Sequence, residues 1–333
     1  MKNMLGVYIH VPFCIKKCNY CDFHSYVANN YEEYVKALIL EIDAFEKCDV
    51  DTIFVGGGTP TLVPLDGILN ALSRKFNIVK GAEISVETNP KIFGDFKSLR
   101  AMGFNRLSMG LQSVHDDELR VLGRAYNFEE FKTAYISARR EFENINLDIM
   151  YSLPDQTMDK WVETVETVRG LAPEHISCYA LKIEEGTPFA SMQLNLPDDE
   201  LDRQMYWYME NLSEYRRYEI SNFAKPGFEC RHNLKYWRRE EYIGFGEGAH
   251  SFLNQKRWCG DEIEEISEID AVREGIFLGL RLSEGIDERK LKGRFAKELE
   301  ESIREGLLQR NGDILTLTNR GIDLSNQVFM RLF

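Results

Sequence analysis

The sequence predicts an α/β fold built on a parallel sheet with helices outside it. In the first two-thirds of the chain, a short run rich in β-branched residues precedes a longer stretch with helical spacing, six times over. The six strand-like runs are VYIHVPF, DTIFVGGG, EISVETNP, RLSMGLQS, INLDIMYSLP and HISCYALKI. Strands that alternate with helices are parallel, because parallel neighbours need a crossover connection. The pattern alone allows a partly closed barrel or an open doubly wound sheet. In both, ligands bind at the carboxyl ends of the strands.

The last third of the chain has a different pattern. The segment 226–268 interrupts the alternation and is predicted to be an irregular connection, rich in aromatic residues, glycine and paired charges. Helical stretches follow, and then LLQRNGDILTLT predicts a hairpin that turns at Asn311-Gly312. A final helix is expected over NRGIDLSNQVFMRLF. Helices followed by a hairpin predict a small winged-helix-like α+β domain over 269–333.

Composition excludes some function classes. The net charge is −13 and no basic stripe is visible, so a nucleic-acid partner is not expected. No run of ~18 apolar residues is present, and the first residues do not form a signal peptide, so we expect a cytoplasmic protein without a transmembrane segment. Seven cysteines in a reducing compartment are better explained as ligands or buried thiols than as disulfides.

Three cysteines follow the first predicted strand at close spacing. Cys14, Cys18 and Cys21 form a C-x3-C-x2-C pattern. Three thiolates can bind three irons of a [4Fe–4S] cluster, and the fourth iron then stays open for another ligand. A zinc site completed by His10 or His24 is the alternative, because zinc normally takes four ligands.

Polar residues and glycines cluster at the ends of the later strands. GGGTP follows the second strand, where glycines let a backbone approach a ligand closely. Four polar residues lie at or just beyond successive later strands: Glu87, Gln112, Arg124 and Asp148. An arginine can pair with a carboxylate through two hydrogen bonds, and Gln112 and Asp148 can bond hydroxyl groups. Together these residues indicate a ligand that has both a carboxylate and hydroxyl groups.

The cysteine spacing and the glycine-rich strand end resemble the radical S-adenosylmethionine (SAM) superfamily. In that superfamily the amino and carboxylate groups of SAM bind the open iron, and an electron from the cluster cleaves SAM to a 5′-deoxyadenosyl radical. This resemblance implies a partial (β/α)6 barrel over 1–225. It also implies an external electron donor.

Further motifs narrow the resemblance to one family of porphyrin metabolism. YIHVPFC, CDF, GGGTP, ETNP, GLQS, DIMYSLP, IEEGTPF, YEISNFA, HNLKYW and GFGEGAHSF are similar to oxygen-independent coproporphyrinogen oxidases and their haem-chaperone relatives, HemN and HemW. The resemblance implies that Arg124 contacts the SAM carboxylate, that Gln112 and Asp148 contact its ribose, and that Tyr8 lies near the cluster. The full set of residues expected to bind cofactors is Tyr8, Phe23, Gly57, Gly58, Thr59, Glu87, Gln112, Arg124, Asp148 and His232. One departure is Ser152, where the family usually has glycine.

Two features favour the haem-chaperone branch. The oxidases carry a fourth cysteine at the position of Phe23 and a long N-terminal extension, whereas only 13 residues precede Cys14 here. HNLKYW matches the HNxxYW signature of the chaperones, which implies that the chain binds haem and delivers it to an acceptor protein. His232 is the candidate haem ligand, since imidazole is a common axial ligand. Without the resemblance, a histidine beside aromatic residues is more simply a packed structural residue.

Two other functions stay open from the sequence. One is radical oxidative decarboxylation of coproporphyrinogen, as in the oxidases. The other is a non-enzymatic binding protein stabilised by a metal, although such a site would not need ribose-binding groups.

Overall fold

Six parallel strands form the centre of the computed structural model, which describes residues 4–90 and 95–332. They are β1 Leu5–Val11, β2 Asp49–Gly57, β3 Asn77–Thr88, β4 Arg106–Gln112, β5 Ile145–Tyr151 and β6 His175–Ala180. The helices between and after them are α1 Tyr31–Ala44, α2 Leu65–Lys75, α3 Phe96–Ala101, α4 Asp116–Val121, α5 Phe128–Arg139, α6 Met158–Leu171 and α7 Asp199–Tyr208. The predicted alternation of strands and helices is confirmed.

The strand order decides between the two predicted architectures. β1 to β6 pair in chain order, without the reversal that defines a doubly wound sheet. Because crossover connections are right-handed, a sheet in chain order carries all its helices on one face. The sheet therefore forms a partial (β/α)6 barrel, and the predicted fold class is confirmed.

The two faces of the strands differ sharply in polarity. On β1, Val7, Ile9 and Val11 are fully buried in the hydrophobic core that also contains the inner faces of α1 and α2. The alternate residues Tyr8 and His10 lie on the opposite face, because side chains alternate along a strand. On β3 to β5 the interior residues that line a cavity include Glu87, Ser108 and Asp148, so this part of the barrel interior is available for ligand chemistry.

The segment 226–268 is more regular than the sequence indicates. It contains α8 Arg231–Trp237, β9 Tyr242–Phe245, β10 His250–Leu253, β11 Lys256–Cys259 and β12 Glu262–Glu265. β9 pairs parallel to β1, and β10 to β12 continue the sheet as antiparallel strands. Strands of four residues are too short to show alternation, which is why the sequence pattern misses them. On the other edge, β7 Arg216–Glu219 and β8 Asn222–Ala224 follow β6.

The C-terminal part combines helices with a three-stranded sheet. Its elements are α9 Glu268–Arg281, β13 Ile286–Asp287, α10 Ala296–Arg304, β14 Leu308–Asn311, β15 Ile314–Leu317, α11 Asn319–Asp323 and α12 Ser325–Met330. The hairpin at Asn311-Gly312 is confirmed, with Asn311 paired to Ile314 and Gly312 at φ 61°. The expected final helix is two short helices that break at Leu324. The division of the chain at 225/226 and 268/269 remains a prediction. Among the described residues, no helix has both the length and the apolar character needed to cross a membrane.

Candidate functional site

A cavity of about 160 Å³ opens at the carboxyl ends of the barrel strands. It brings together eleven of the thirteen residues singled out in the sequence. These are Cys14, Cys18, Cys21, Phe23, Gly57, Gly58, Thr59, Glu87, Gln112, Arg124 and Asp148. They come from five different βα units, so the fold alone makes them neighbours.

The loop after β1 carries the three cysteines and is fixed at both ends. The amide of Cys14 donates to the carbonyl oxygen of Tyr26 at 2.9 Å, next to the buried ring of Phe13. Near the other end, Asn19 donates from its backbone amide to Leu122 O at 3.0 Å and from Nδ2 to Val121 O at 2.8 Å. The loop is therefore held in place before any metal binds.

The thiol arrangement fits an iron–sulfur cluster. Burial raises the pKa of the Cys14 and Cys21 thiols, so the metal-free chain favours their protonated form, and a bound metal would deprotonate them. Within residues 4–90 and 95–332, no three His, Cys, Asp or Glu side chains converge closely enough to hold a single metal ion. The three thiols instead line one cavity together, which suits a cluster that offers each thiolate its own iron.

The glycine loop after β2 packs directly against the cysteine loop. A Cβ added to Gly58 would lie 2.5 Å from Phe13 O and 3.0 Å from the Sγ of Cys14. Gly57 has φ +112°, a conformation that favours glycine, and its amide donates to Glu87 Oε2 at 3.0 Å. Glycine is therefore required here by close approach and by backbone conformation.

Two carboxyl groups lie together inside the cavity. Burial, followed by the nearby Asp148, raises the pKa of Glu87 to about 8. Burial also raises the pKa of Asp148, although Asn146 Nδ2 donates to its Oδ1 at 2.7 Å. Carboxyl groups held in this way favour a cationic or hydroxyl-bearing ligand, which would stabilise their charge or accept their hydrogen bonds.

Arg124 extends across the cavity toward the cysteines. Its Nη1 donates to Cys18 Sγ at 3.4 Å and to the hydroxyl of Tyr20 at 3.3 Å. Its Nε donates to the hydroxyl of Tyr126 at 2.9 Å, and that hydroxyl donates to the carbonyl oxygen of Gly110. The sequence analysis missed Tyr20 and Tyr126. Their only signal is position, since one lies within the cysteine motif and the other two residues after Arg124.

Two residues at strand ends adopt left-handed backbone conformations. Gln112, the last residue of β4, has φ 71°, and Ser152, just after β5, has φ 57°. Such a conformation costs about 1–2 kcal/mol for a residue with a Cβ. The left-handed backbone explains why glycine suits position 152, and here the Ser152 hydroxyl donates to Asp202.

Tyr8 and His232 lie outside the cavity. The Tyr8 hydroxyl lies 3.0 Å from His10 Nδ1, deeper in the barrel, and its ring stacks at 6.4 Å on that of His232. His232 is fully buried, and its Nδ1 and Nε2 are hydrogen-bonded to the hydroxyls of Thr52 (2.9 Å) and Tyr236 (2.8 Å). The imidazole therefore has no free nitrogen for a metal in this conformation.

Glu83 explains why His232 sits inside the barrel. Its carboxylate accepts from the backbone amides of Arg231 and His232, both at 3.0 Å, and so fixes the first turn of α8. Helix α8 thereby closes the end of the barrel opposite the cavity. Burial lowers the pKa of His232 to about 3, so the ring is neutral.

The fold and this cavity define the class of protein: a radical SAM protein. The Radical SAM superfamily model matches residues 8–168, and the HemN C-terminal domain model matches residues 266–324. The solved structure of coproporphyrinogen III oxidase (HemN) from Escherichia coli superimposes with a TM-score of 0.85. It covers 99% of this chain and 90% of that chain at 23% identity, which shows the shared fold.

Two curated relatives carry the name "Heme chaperone HemW". The protein from Bacillus subtilis (strain 168) is 34% identical over 372 residues, with 98% of each chain covered. The one from Escherichia coli (strain K12) is 37% identical over 262 residues, which cover 74% of this chain and 69% of that protein. The chain belongs to the HemW family. The resemblance inferred from the sequence motifs is confirmed.

Proposed function

We propose that this chain is a radical SAM haem chaperone. Cys14, Cys18 and Cys21 bind a [4Fe–4S] cluster, SAM binds at the open iron, and haem is the cargo passed to an acceptor protein. One observation carries the cofactor part of this proposal: three thiols, a glycine loop and two buried carboxyl groups line a single cavity at the carboxyl ends of the strands.

The remaining residues of the cavity match the groups of SAM. When bound, the cluster supplies a coordination site and a one-electron reductant, and the electron comes from an external donor. The guanidinium of Arg124 pairs with the SAM carboxylate, for which its charge and planar geometry are suited. The side chains of Gln112 and Asp148 form hydrogen bonds with the ribose hydroxyls. Glu87 faces the positive charge of SAM, which favours the ionised form of this carboxyl group.

The cargo is inferred from the relatives and from one position in the cysteine loop. The relatives from Bacillus subtilis and Escherichia coli described above are both named as haem chaperones. Phe23 stands where the oxidases have a fourth cysteine, and its side chain is 63% exposed beside the cavity. An exposed ring at this point offers an apolar contact to a porphyrin.

Anaerobic reconstitution followed by parallel assays tests the proposal. The protein should contain about four irons and four sulfides per chain. It should bind haem, and it should not convert coproporphyrinogen III with SAM and a reductant. The matched control replaces Cys14, Cys18 and Cys21 by alanine and should lose the iron. Efficient coproporphyrinogen turnover would establish the oxidase function instead, and a full cluster in the triple variant would disprove the ligand assignment.

A further inference from the structure

We infer that His175 and Asn146 are positioning residues for SAM, because they fix the carboxyl group of Asp148 through a directed network of hydrogen bonds. In order, the network consists of Tyr218, His175, Asn146 and Asp148. Of these four residues, Asp148 alone lines the cavity. The inference rests on the proposed function, in which Asp148 binds the ribose of SAM.

Strand register brings the central members of this network together inside the barrel. Asn146 and Asp148 are two residues apart on β5, so their side chains point to the same face of the strand. His175 on β6 is the direct partner of Asn146 across the parallel ladder. Both side chains are buried, so water does not compete for their hydrogen bonds. Asn146 and His175 therefore lie one layer deeper in the barrel than Asp148.

Asn146 joins the network to the carboxyl group. Its Nδ2 donates to Asp148 Oδ1 at 2.7 Å and to Ser108 Oγ at 2.8 Å, which uses both amide hydrogens. Its Oδ1 is therefore the acceptor that faces His175 Nδ1 at 2.6 Å, and it also accepts from the Ser177 hydroxyl at 3.1 Å. The amide group cannot turn without breaking these hydrogen bonds.

The imidazole of His175 gives the network its direction. Burial, followed by the nearby charge of Arg106, lowers the pKa of His175 well below its usual range, so the ring is neutral and carries one hydrogen. That hydrogen is on Nδ1, because the Oδ1 of Asn146 can only accept. Nε2 is then an acceptor, and the Tyr218 hydroxyl donates to it over 2.8 Å. Each hydrogen in the network thus points toward the cavity.

A β-bulge places Tyr218 at the outer end of the network. The residues on either side of it pair with β8 in a shifted register, so Tyr218 is the extra residue on β7. A bulge redirects a side chain, and bulges are frequent beside active sites. The carbonyl oxygen of Tyr218 accepts from the amide of Ser283 at 2.9 Å, and its hydroxyl oxygen accepts from the amide of Cys230 at 3.4 Å. This gives a role to the first residue of the YEISNFA motif.

Fixing the carboxyl group of Asp148 prepares it for the ribose. Burial raises the pKa of Asp148, and the hydrogen bond from Asn146 opposes that shift, which favours the ionised form that accepts hydrogen bonds. A group that is oriented before its ligand arrives loses little conformational freedom on binding. Disrupting the network should therefore weaken the contact with the ribose and spare the contacts with the rest of SAM.

Equilibrium dialysis of reconstituted protein against two ligands tests this role. The ligands are SAM and its analogue without the two ribose hydroxyls, and the cluster is kept oxidised so that SAM is not cleaved. The wild type should bind SAM at least about tenfold more tightly than the analogue, as expected for hydrogen bonds to a charged group. This affinity ratio should fall severalfold in Asn146→Leu and His175→Phe. A merely structural role would lower both affinities equally and leave the ratio unchanged.

Three further variants make the test specific. His175→Asn puts an amide nitrogen where Nδ1 stands, so it should restore the ratio. Tyr218→Phe removes only the outermost hydroxyl and should also lower the ratio, which keeps the test decisive if a buried variant does not fold. The matched control is Thr52→Val, which removes a buried hydrogen bond to His232 from the same barrel interior. It should keep the wild-type ratio.

The outcomes separate this inference from the proposed function. A lower ratio in the network variants, with the wild-type ratio in His175→Asn and Thr52→Val, supports the positioning role. A wild-type ratio in the network variants that fold, or an equal fall in Thr52→Val, overturns it and leaves the proposed function standing. If the wild type binds SAM and the analogue alike, the ribose assignment in the proposed function fails. If it binds no SAM, the proposed function itself fails.

Discussion

Replacing His232 by glutamine should destabilise the protein at pH 7, and the cost should shrink on acidification. The imidazole is fully buried between Thr52 and Tyr236, and burial lowers its pKa to about 3. Glutamine loses part of this hydrogen bonding, and a buried group left without its partner costs about 1–3 kcal/mol. At pH 7 the histidine is neutral in the folded and the unfolded chain, so only this structural cost is measured.

The pH dependence follows from the lowered pKa. An unfolded histidine titrates near ~6.5, so between pH 6.5 and about 3 the unfolded chain binds a proton that the folded chain excludes. The stabilisation by His232 is therefore complete above pH 6.5 and is lost as the pH falls toward 3. At pH 4.5 the wild type should have lost roughly 3 kcal/mol from this group, since each pH unit below 6.5 costs about 1.4 kcal/mol. The variant loses none of it, so the difference in unfolding free energy should narrow by that amount.

Urea unfolding of the cluster-free chain at pH 7, 5.5 and 4.5, followed by circular dichroism, measures this difference. Tyr236→Phe is the matched control, because it removes one hydrogen bond to His232 and keeps the imidazole. Its cost should stay nearly constant over the same range. A constant difference for His232→Gln would refute the reasoning, since it would mean that the folded protein accepts the proton. The ring would then be accessible and would again be a candidate haem ligand.

Three further predictions concern the cavity and its rim. Arg124→Ala should weaken SAM binding by about 1.5–3 kcal/mol, because a charge-assisted contact is lost. The affinity is measured from the change that SAM causes in the spectrum of the reduced cluster, and an unchanged affinity would remove Arg124 from the site. The pKa of Glu87 is raised to about 8, so its stabilising effect in the cluster-free chain is full below ~4.5 and is lost as the pH rises through 8. Glu87→Gln should therefore gain stability relative to wild type between pH 5 and pH 8.5, by up to ~4 kcal/mol in denaturant unfolding; a pH-independent difference would contradict this. Ser152→Ala should lower the unfolding free energy by about 1–2 kcal/mol through loss of the bond to Asp202, whereas Ser152→Gly should offset part of that cost by relieving the left-handed backbone. Equal stability of these two variants would argue against backbone strain at this position.

The sequence predicts most of the residues that line the cavity, because they belong to short motifs at the ends of strands. Cys14, Gly58 and Glu87 each follow or end a strand whose hydrophobic pattern is plain, and parallel strands in chain order bring such ends together. Residues that support the site from the side carry no such signal. Tyr20 and Tyr126 are ordinary aromatic residues in sequence, and their hydrogen bonds to Arg124 appear only in three dimensions.

The packing of α8 at the end of the barrel opposite the cavity could not be predicted from the sequence, for a different reason. The contact between Glu83 and the start of α8 joins residues 149 positions apart, counted from Glu83 to His232. Local periodicity holds no information on such a partner, so the HNLKYW motif was interpreted from its residue types alone. Those types suit a haem ligand or a packed core histidine, and the burial of the His232 ring appears only in three dimensions.

The pairing of β9 with β1 also affects how the chain folds while it is being synthesised. β1 gains its second neighbour only after Phe245 has been synthesised, because Ile9 pairs with Phe245 across the parallel ladder. Until then the first strand of the nascent chain is an exposed edge, of the kind that pairs readily with other chains. The cysteine loop extends directly from this strand, so it is attached to a strand whose second edge stays unpaired until more than two-thirds of the 333 residues have been made.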